Sequence, residues 1–343
     1  MMTPSEMRAA VKAPKEVLDS IACWREQVKA IMRGADGRKM IVVGPCSIHD
    51  YAGAITYAEN LKALQEEVQD DLLLVMRVYC EKPRTTSGWK GYIHDPNMDG
   101  SDRMDIGLYG ARELLKAINE LGVPCAVEAL DPVISQYLED LVTWTAIGAR
   151  TVESQTHREL ASALQSPVGF KNGTSGAIRV AVEAMCAART KHTRLTGSPS
   201  GRAIYQRTKG NRHTHVVLRG GRSGPNYTNE HVGNAISLMK SAGLFPAVMV
   251  DCSHANAQGN YKSQIPVAAH VATNMGAIPE LFGIMLESNL GAGSQPIDGM
   301  VDEGVSVTDP CLGWDDTEYT IKRVAGIIHE LREGQYKQEQ TGT

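Results

Sequence analysis

The sequence predicts an α/β fold, a (β/α)8 barrel of the TIM type. The first observation is that short apolar runs alternate with longer amphipathic segments about eight times along the 343 residues, which is typical of parallel strands joined by helices. The second is that the runs are apolar throughout, as expected of strands buried on both faces. An open, doubly wound sheet is the alternative. However, no GxGxxG motif follows the first run, so the usual dinucleotide-binding signature of that fold is missing.

The chain begins with a predicted helix from Pro14 to Arg33, where apolar residues recur at helical spacing and Gly34 marks the end. We assign residues 1–38 to an N-terminal helical extension, residues 39–333 to a catalytic barrel and residues 334–343 to a loose polar tail. The alternation of helices and strands breaks at about residues 191–211. Two short segments there flank a Gly- and Pro-containing turn, which predicts a β-hairpin inserted before the sixth barrel strand.

The barrel elements are assigned from their apolar runs and from the glycines, prolines and polar residues that bound them. The predicted strands cover Met40 to Val43, Leu72 to Val78, Val123 to Ala129, Ala146 to Thr151, Val168 to Asn172, His215 to Gly221, Ala247 to Asp251 and Leu281 to Glu287. The predicted helices cover Tyr51 to Val68, Gly107 to Leu121, Pro132 to Thr143, a segment including Glu159 to Leu164, a segment opening at Gly173 and reaching Arg189, Asn229 to Ala242, Ile265 to Met275 and Thr317 to Glu333.

Composition narrows the class of protein. The net charge of −4 and the lack of a basic block argue against nucleic-acid binding. No apolar run approaches the roughly 18 residues of a membrane span, and the polar N-terminus lacks the apolar core of a signal peptide. We therefore expect a cytoplasmic protein with no membrane or nucleic-acid partner. The 7 cysteines are scattered without a CxxC pair, which favours reduced thiols over disulfides.

Chemistry-bearing residues stand at the carboxyl ends of the predicted strands, where barrel enzymes bind their substrates. Any one of them fits a salt bridge at the barrel rim, but a whole run does not, because burying unpaired charges costs several kcal/mol. Glu128 cannot neutralise all the cations, so we expect an anionic, phosphorylated substrate. In chain order the strand-end residues are Cys46, Arg77, Glu128, Arg150, Lys171, Arg219, Asp251 with His254, and Glu287.

A second group combines thiol, imidazole and carboxylate side chains: Cys46, His254, Glu287 and Asp309. These residues are far apart in sequence, but a closed barrel places its eighth strand beside its first. The mixed sulfur, nitrogen and oxygen set suits Mn²⁺, Fe²⁺, Co²⁺ or Zn²⁺ better than Ca²⁺ or Mg²⁺. Taken alone, Cys46 is better explained as a small buried apolar residue.

Nine ordered motifs between about Ile41 and Thr317 resemble type I 3-deoxy-D-arabino-heptulosonate 7-phosphate (DAHP) synthase of the microbial shikimate pathway. The resemblance implies a (β/α)8 barrel that condenses phosphoenolpyruvate with D-erythrose 4-phosphate and water, releasing phosphate. The motifs are GPCSIHD (44–50), KPRTTSGWKG (82–91), GAR (148–150), SQTHRELAS (154–162), GFKNGT (169–174), LRGG (218–221), DCSHAN (251–256), MLESNL (285–290) and TDPCLGWDDT (308–317).

Residue by residue, the resemblance makes Cys46, His254, Glu287 and Asp309 the ligands of one divalent metal, which acts on the aldehyde oxygen of erythrose 4-phosphate. It implies that phosphoenolpyruvate is held by Arg77, Lys82, Arg150, Lys171 and Arg219, with the Ala149 backbone near its phosphate. It places the phosphate of erythrose 4-phosphate at Arg84 and Thr85. Lys82 is the expected proton donor to the new alkoxide, and Glu128 or a water on the metal is expected to handle the attacking water.

The chain departs from regulated members of the family. Positions that are aromatic or small in Phe-sensitive relatives read Ala129, Gln165 and Arg194, and the whole chain has only 3 Phe. Weak or absent feedback inhibition is one expectation, and Tyr or Trp as the effector is the other. Relatives assemble as homodimers or homotetramers, but the N-terminal arm here is short.

Three further alternatives stay open at this point. The first is a related enzyme that joins phosphoenolpyruvate to arabinose 5-phosphate. The second is an inactive barrel kept as a regulatory partner. The third, which does not exclude catalysis, is that Cys46 responds to oxidation, since thiolates that bind metals are readily oxidised.

Overall fold

The computed structural model describes residues 1–297 and 301–341, and it confirms the predicted barrel. The strands are β1 Lys39–Gly44, β2 Leu72–Arg77, β3 Cys125–Glu128, β4 Trp144–Ile147, β5 Val168–Lys171, β6 Thr193–Gly197, β7 Ala203–Arg207, β8 Thr214–Leu218, β9 Val248–Asp251 and β10 Leu281–Glu287. Eight of them form a closed parallel sheet in the order β1-β10-β9-β8-β5-β4-β3-β2. The parallel sheet thus closes into a barrel and is not an open sheet.

The helices cover the outside of the barrel and one of its ends. They are α1 Pro4–Ala10, α2 Lys15–Met32, α3 Tyr51–Val68, α4 Met104–Glu120, α5 Ser135–Leu138, α6 Gln155–Ala163, α7 Arg179–Arg189, α8 Asn229–Ser241, α9 Gln264–Asn274 and α10 Trp314–Thr341. Among the described residues, no helix is both long and apolar enough to cross a membrane.

The first strand lies between the second and the last, and a glycine allows the close contact. Gly44 pairs with Glu287 of β10 and has a φ of +150°. A Cβ atom at this position would lie 2.9 Å from the carbonyl oxygen of Arg77 on β2, which no side chain tolerates. The close packing brings the segment after β1 next to the ends of β2 and β10.

The amino end of the barrel is closed by the N-terminal helix. Val28, Ile31 and Met32 of α2 belong to the same buried cluster as Met40 and Phe282 of the strands. The opposite, carboxyl end has no such apolar plug among the described residues and holds the cavity considered below. The extension therefore serves the barrel as part of its core.

The inserted hairpin is present as predicted. Strands β6 and β7 pair in antiparallel register outside the barrel, just before β8. Leu195 and Tyr205 on it are exposed. Helix α1 lies against the hairpin tip, where the backbone N–H of Ser5 donates to the carbonyl of Pro199 at 2.8 Å.

Several predicted boundaries are wrong. Strand β4 begins at Trp144 and ends at Ile147 rather than running from Ala146 to Thr151, because a turn in which Thr151 N–H donates to the Gly148 carbonyl follows it. The helix predicted over Pro132 to Thr143 is reduced to α5 and one 3₁₀ turn. Helix α7 starts at Arg179 rather than Gly173, since Gly176 takes a φ of +104°.

The two chain ends are more helical than predicted. Helix α1 was missed, although Thr3 and Glu6 form a capping box at its start. Helix α10 continues past Glu333 to Thr341, through residues assigned above to a loose tail. Glutamine, glutamate and lysine are good helix formers, which explains the extension. Residues 342–343 of that predicted tail lie outside the described residues.

Candidate active site

A cavity of about 510 Å³ opens at the carboxyl end of the barrel. Every predicted site residue lines it, because parallel strands place their carboxyl ends at the same face. They are Cys46, Arg77, Lys82, Arg84, Thr85, Glu128, Ala149, Arg150, Lys171, Arg219, His254, Glu287 and Asp309. The structure thus brings together residues that are spread over 264 positions, from Cys46 to Asp309, and their roles remain predictions.

A cluster of metal-binding side chains lies at the seam between β1 and β10. One ligand atom from each of Cys46, Glu287 and Asp309 lies within 4.8 Å of the others. The Cys46 Sγ is 3.4 Å from the Asp309 Oδ2. The ammonium of Lys82 contacts the same pair, at 2.7 Å from the sulfur and 2.9 Å from the carboxylate.

His254, the fourth predicted ligand, lies beside this cluster rather than inside it. Its Nε2 is 3.7 Å from the Glu287 Oε1, and its Nδ1 is 2.8 Å from the Asp251 Oδ2. The residue has a φ of +50° at the start of a 3₁₀ turn after β9. Such a conformation is uncommon for a residue with a side chain and often occurs at functional sites.

These four side chains fit a divalent transition metal. They offer one sulfur, one imidazole nitrogen and two carboxylates, a set that favours Mn²⁺, Fe²⁺, Co²⁺ or Zn²⁺. Burial raises the pKa of the Cys46 thiol to about 12, so the free thiol stays protonated. Metal binding releases such a proton, because the thiolate is the ligand.

Charge on the carboxylates of this cluster is maintained by neighbouring cations. Burial raises the pKa of Glu287, but His254 and Arg77 outweigh that effect and hold it below its usual value. Burial likewise raises the pKa of Asp309, but Lys82 lowers it by more, so the net shift is downward. Both groups are therefore ionised at neutral pH.

Arg77 is the most enclosed cation of the site, with 1% of its surface exposed. Its Nη2 donates to the Glu287 Oε1 at 3.0 Å, and its guanidinium lies 4.0 Å from the ring centre of Tyr79. Contact with an aromatic face stabilises a desolvated cation. The position of Arg77 is therefore fixed by the protein before any substrate binds.

Lys171 is also paired inside the protein. Its Nζ lies 3.0 Å from the Asp251 Oδ2, and both side chains are buried. The expectation that a substrate must neutralise the charges of Arg77 and Lys171, because Glu128 cannot, was thus wrong for these two residues. The carboxylates Glu287 and Asp251 already neutralise them.

The remaining cations of the cavity have no carboxylate partner among the described residues. Arg150 donates from Nε to the hydroxyl of Thr85 at 3.0 Å, and Arg84 is exposed. The buried Nε of Arg219 has no hydrogen-bond acceptor in the described part of the chain. Because a buried donor without an acceptor is costly, this N–H is available to donate to a bound anion or to a water molecule.

Glu128, at the end of β3, faces the turn after β4. A Cβ atom on Gly148 would lie 1.9 Å from the Glu128 Oε1, so only glycine leaves room for this carboxylate. Ala149 and Arg150 follow directly and line the same cavity as Glu128. Arg150 lies in this turn and not on the strand, contrary to the predicted end of β4.

Sequence reasoning missed two supporting residues, Ser253 and Tyr79, and it listed Asp251 at a strand end without giving it a role. Ser253 donates its hydroxyl to the Glu287 Oε2 at 2.7 Å, Tyr79 lies under Arg77, and Asp251 contacts both Lys171 and His254. A signal for Tyr79 was present, since it follows Arg77 by two positions and extended backbone repeats its direction every second residue. Nothing in the spacing identified Ser253.

Comparisons with known proteins agree with one another. The sequence profile of the DAHP synthetase I family matches residues 12–322. The Tyr-sensitive phospho-2-dehydro-3-deoxyheptonate aldolase of Escherichia coli is 46% identical over 98% of this chain and 94% of that protein. The Phe-sensitive enzyme of the same species is 44% identical over 97% and 95%. A solved structure of this aldolase from Francisella tularensis gives a TM-score of 0.94 at 44% identity, covering 96% of this chain and 97% of that one.

Proposed function

The chain belongs to the DAHP synthetase I family and condenses phosphoenolpyruvate with D-erythrose 4-phosphate and water to give DAHP and phosphate, and we propose how its cavity divides that work. The relatives are named as heptonate aldolases, which favours erythrose 4-phosphate over arabinose 5-phosphate. In this proposal, separate sets of cavity residues bind the two substrates, hold a metal and move protons.

One observation carries the assignment. Arg84, Arg150 and Arg219 lack carboxylate partners among the described residues, and they share a cavity with the Cys46, Glu287 and Asp309 cluster. Guanidinium groups bind phosphate oxygens through paired N–H donors. The cavity therefore has phosphate-binding groups next to a metal-binding group, as a reaction between a sugar phosphate and an enol phosphate requires. An inactive regulatory barrel has no need of either.

We assign Cys46, His254, Glu287 and Asp309 as the residues that would hold one divalent metal ion. When bound, such an ion would polarise the aldehyde oxygen of erythrose 4-phosphate. The Ser253 hydroxyl and the Arg77 guanidinium each donate to Glu287, which orients that carboxylate. Partners of this kind tune metal affinity in other proteins.

Substrate positioning supplies much of the expected rate gain. Arg219, Lys171 and Arg150 would bind the phosphate and carboxylate of phosphoenolpyruvate, with the Ala149 backbone at its phosphate. Arg84 and Thr85 would bind the phosphate of erythrose 4-phosphate. Since Thr85 accepts a hydrogen bond from Arg150, the two phosphate sites adjoin, and the enol carbon C3 can then attack the aldehyde carbon.

Two side chains are assigned to proton transfer. Burial lowers the pKa of Lys82, but the negative groups around it outweigh burial and raise it above the ordinary value. Lys82 is therefore a charged donor, suited to give a proton to the new alkoxide. Glu128 faces the phosphoenolpyruvate side of the cavity and would accept a proton from the water that adds at C2. Loss of phosphate from C2 then yields the product.

The direct experiment measures metal content and phosphate release. The purified protein is treated with a chelator, reloaded with Mn²⁺, Fe²⁺, Co²⁺ or Zn²⁺, and mixed with both substrates. We expect release of one phosphate for each DAHP formed, only after reloading and only with erythrose 4-phosphate. Full activity of chelated, metal-free protein contradicts the metal assignment, whereas absence of any phosphate release contradicts the assigned reaction.

We also propose weak or absent feedback inhibition. Arg194 is buried, with 6% exposed, where the resemblance places an effector pocket. Arg25 donates to Gln165 at 3.3 Å, and the cavity that Ala129 lines measures about 30 Å³. That volume holds a few water molecules and no aromatic amino acid.

Assays with millimolar Phe, Tyr and Trp test this proposal. Activity is expected to stay within twofold of the value without amino acid. Strong inhibition by any of the three contradicts it and supports the alternative, a different effector. The identities to Tyr-, Phe- and Trp-sensitive relatives are close, at 46%, 44% and 43%, so overall similarity does not select an effector.

We propose further that the protein is cytoplasmic and assembles as a homodimer or homotetramer. The exposed Leu195 and Tyr205 on the hairpin support a contact between copies, because exposed apolar side chains are enriched at interfaces. Light scattering at several concentrations distinguishes these states from a monomer.

A further inference from the structure

A second cavity lies at the opposite end of the barrel from the substrate cavity. It measures about 410 Å³ and is formed by α2, the end of α7, the start of β8 and the loop before β9. This volume lies within the range of small-molecule sites, about 300–1,000 Å³. Arg212 at this cavity and Arg219 at the substrate cavity flank the same strand, separated by roughly 20 Å of extended backbone.

The cavity is strongly cationic although the whole chain carries a net charge of −4. Lys29, Arg33, Arg189 and Arg212 line it, and among the described residues no aspartate or glutamate does. Only Lys29 has a carboxylate partner in the described residues, Glu26 at 2.7 Å. Glu26 also interacts with the charge of Arg33, so the positive charge of this cavity is concentrated and only partly matched.

The other cations of this cavity use only neutral partners. Arg33 contacts the Nδ1 of His213 at 3.1 Å, and Arg189 donates to the carbonyl of Gly243 at 2.8 Å. Burial and the nearby cations Lys29 and Arg33 lower the pKa of His213, so it accepts as a neutral ring. Arg212 makes no hydrogen bond or ion pair with the described part of the chain.

One wall of the cavity is apolar. Met32, Met185 and Leu244 are buried behind it, and Phe245 has 52% of its surface exposed. An exposed aromatic ring beside unpaired guanidinium groups offers a stacking surface next to an anion site. The guanidinium groups and the apolar wall together match a ligand that has an anionic end and an apolar end.

We propose that this cavity binds a small phosphate monoester with a planar, apolar organic part, at a site separate from the substrate cavity. The phosphate dianion matches the unpaired charges of Arg33, Arg189 and Arg212, and Phe245 packs against the organic part. Inorganic phosphate carries the anionic group without the organic part, so comparing it with a phosphate monoester separates the two contributions to binding.

The test is calorimetric titration of the metal-loaded protein with adenosine 5′-monophosphate and, separately, with inorganic phosphate. Arg212→Gln and Arg33→Gln are each expected to weaken nucleotide binding at least tenfold, since each removes a hydrogen bond between charged groups. Phe245→Ala is expected to weaken binding of the nucleotide and not of phosphate. Arg150→Gln is the matched variant of the substrate cavity and should leave nucleotide affinity within twofold.

Three results would overturn the proposal. One is no nucleotide binding to the wild-type protein at millimolar concentration. Another is binding that survives Arg212→Gln and is lost in Arg150→Gln, which places the probe in the substrate cavity. The third is inorganic phosphate binding as tightly as the nucleotide, which removes the organic part. Arg212→Gln should keep the wild-type melting temperature and DAHP synthase rate, and Arg212→Lys should restore part of the affinity.

Discussion

The two ends of the barrel interior use buried polar groups in opposite ways. At the carboxyl end, Arg77 and Glu287 form an ion pair 3.0 Å apart, in a cavity lined by further charges. At the amino end, Trp144 donates its ring N–H to the Nε2 of His215 at 2.9 Å, and Phe282 packs on the same imidazole.

Inside the barrel, charge is thus kept at the carboxyl end and avoided at the amino end, where the cations Lys29, Arg33, Arg189 and Arg212 lie in the outer cavity. Burial lowers the pKa of His215 to about 4, so it is a neutral hydrogen-bond acceptor at pH 7. Arg77 and Glu287, by contrast, are held as ions by each other and by Tyr79 and His254. We therefore expect interior substitutions at the carboxyl end to change kinetics more than stability. Interior substitutions at the amino end should change stability more than kinetics.

The largest expected effect at the carboxyl end is that of Cys46→Ser. A hydroxyl is a poorer ligand for a soft divalent metal than a thiolate, so metal affinity and kcat should fall by about 100-fold or more. Metal analysis and steady-state kinetics measure both. Cys23→Ser, at an exposed cysteine, is the matched control and should resemble the wild type. Unchanged metal affinity in Cys46→Ser removes Cys46 from the ligand set.

Arg150→Ala should have the next largest effect. The variant loses a guanidinium that has no carboxylate partner in the described residues, so the free energy of unfolding should change little. The KM for phosphoenolpyruvate should rise roughly 10–100-fold, as expected for loss of a charged hydrogen bond to phosphate. Arg202→Ala on the exposed hairpin is the control. An unchanged KM would show that Arg150 does not contact this substrate.

At the amino end, Trp144→Phe should act on stability. The variant leaves the buried Nε2 of His215 without its donor, and an unsatisfied buried group costs about 1–3 kcal/mol. Urea unfolding should show that loss, while kcat and both KM values stay within twofold. A change of more than twofold in kcat or in either KM would contradict the proposed separation of the two ends.

The last effect expected, gradual rather than a single loss, is a dependence of stability on pH. Below pH 6.5 the unfolded chain protonates His215, and the folded protein does so only near pH 4. The unfolded state therefore binds more protons in this window, and stability falls as the pH falls, by at most about 1.4 kcal/mol per pH unit. His215→Gln should have a shallower slope between pH 6.5 and 4. An identical slope shows that other groups cause the dependence.

Much of the fold follows from local pattern. The strand Leu281–Glu287 and the helix Tyr51–Val68 were predicted residue by residue, because long apolar or amphipathic runs dominate their neighbours. The short elements around β4 were not, since four-residue strands and single helical turns are decided by packing rather than by propensity. Helix α10 was predicted too short because a polar sequence was taken to mean disorder.

The candidate site was predictable in membership and not in pairing. Parallel strands deliver their end residues to one cavity, so the set of side chains follows from strand order alone. Which cation faces which carboxylate depends on side-chain directions and loop paths that spacing does not encode. The pairs Lys171–Asp251 and Arg77–Glu287 therefore appeared only in the structure, and they reduced the number of cations that a substrate must neutralise.

The seam between β1 and β10 has a consequence for protein synthesis. Cys46 emerges from the ribosome early, whereas Glu287 and Asp309 emerge near the end, and Gly44 pairs with Glu287 only once β10 has been made. Until then β1 and β9 have unpaired edges, which are prone to association with other chains. The cluster of Cys46, Glu287 and Asp309 cannot assemble on a nascent chain that has not yet reached Asp309, so any metal held by all three is acquired only after that residue has been made.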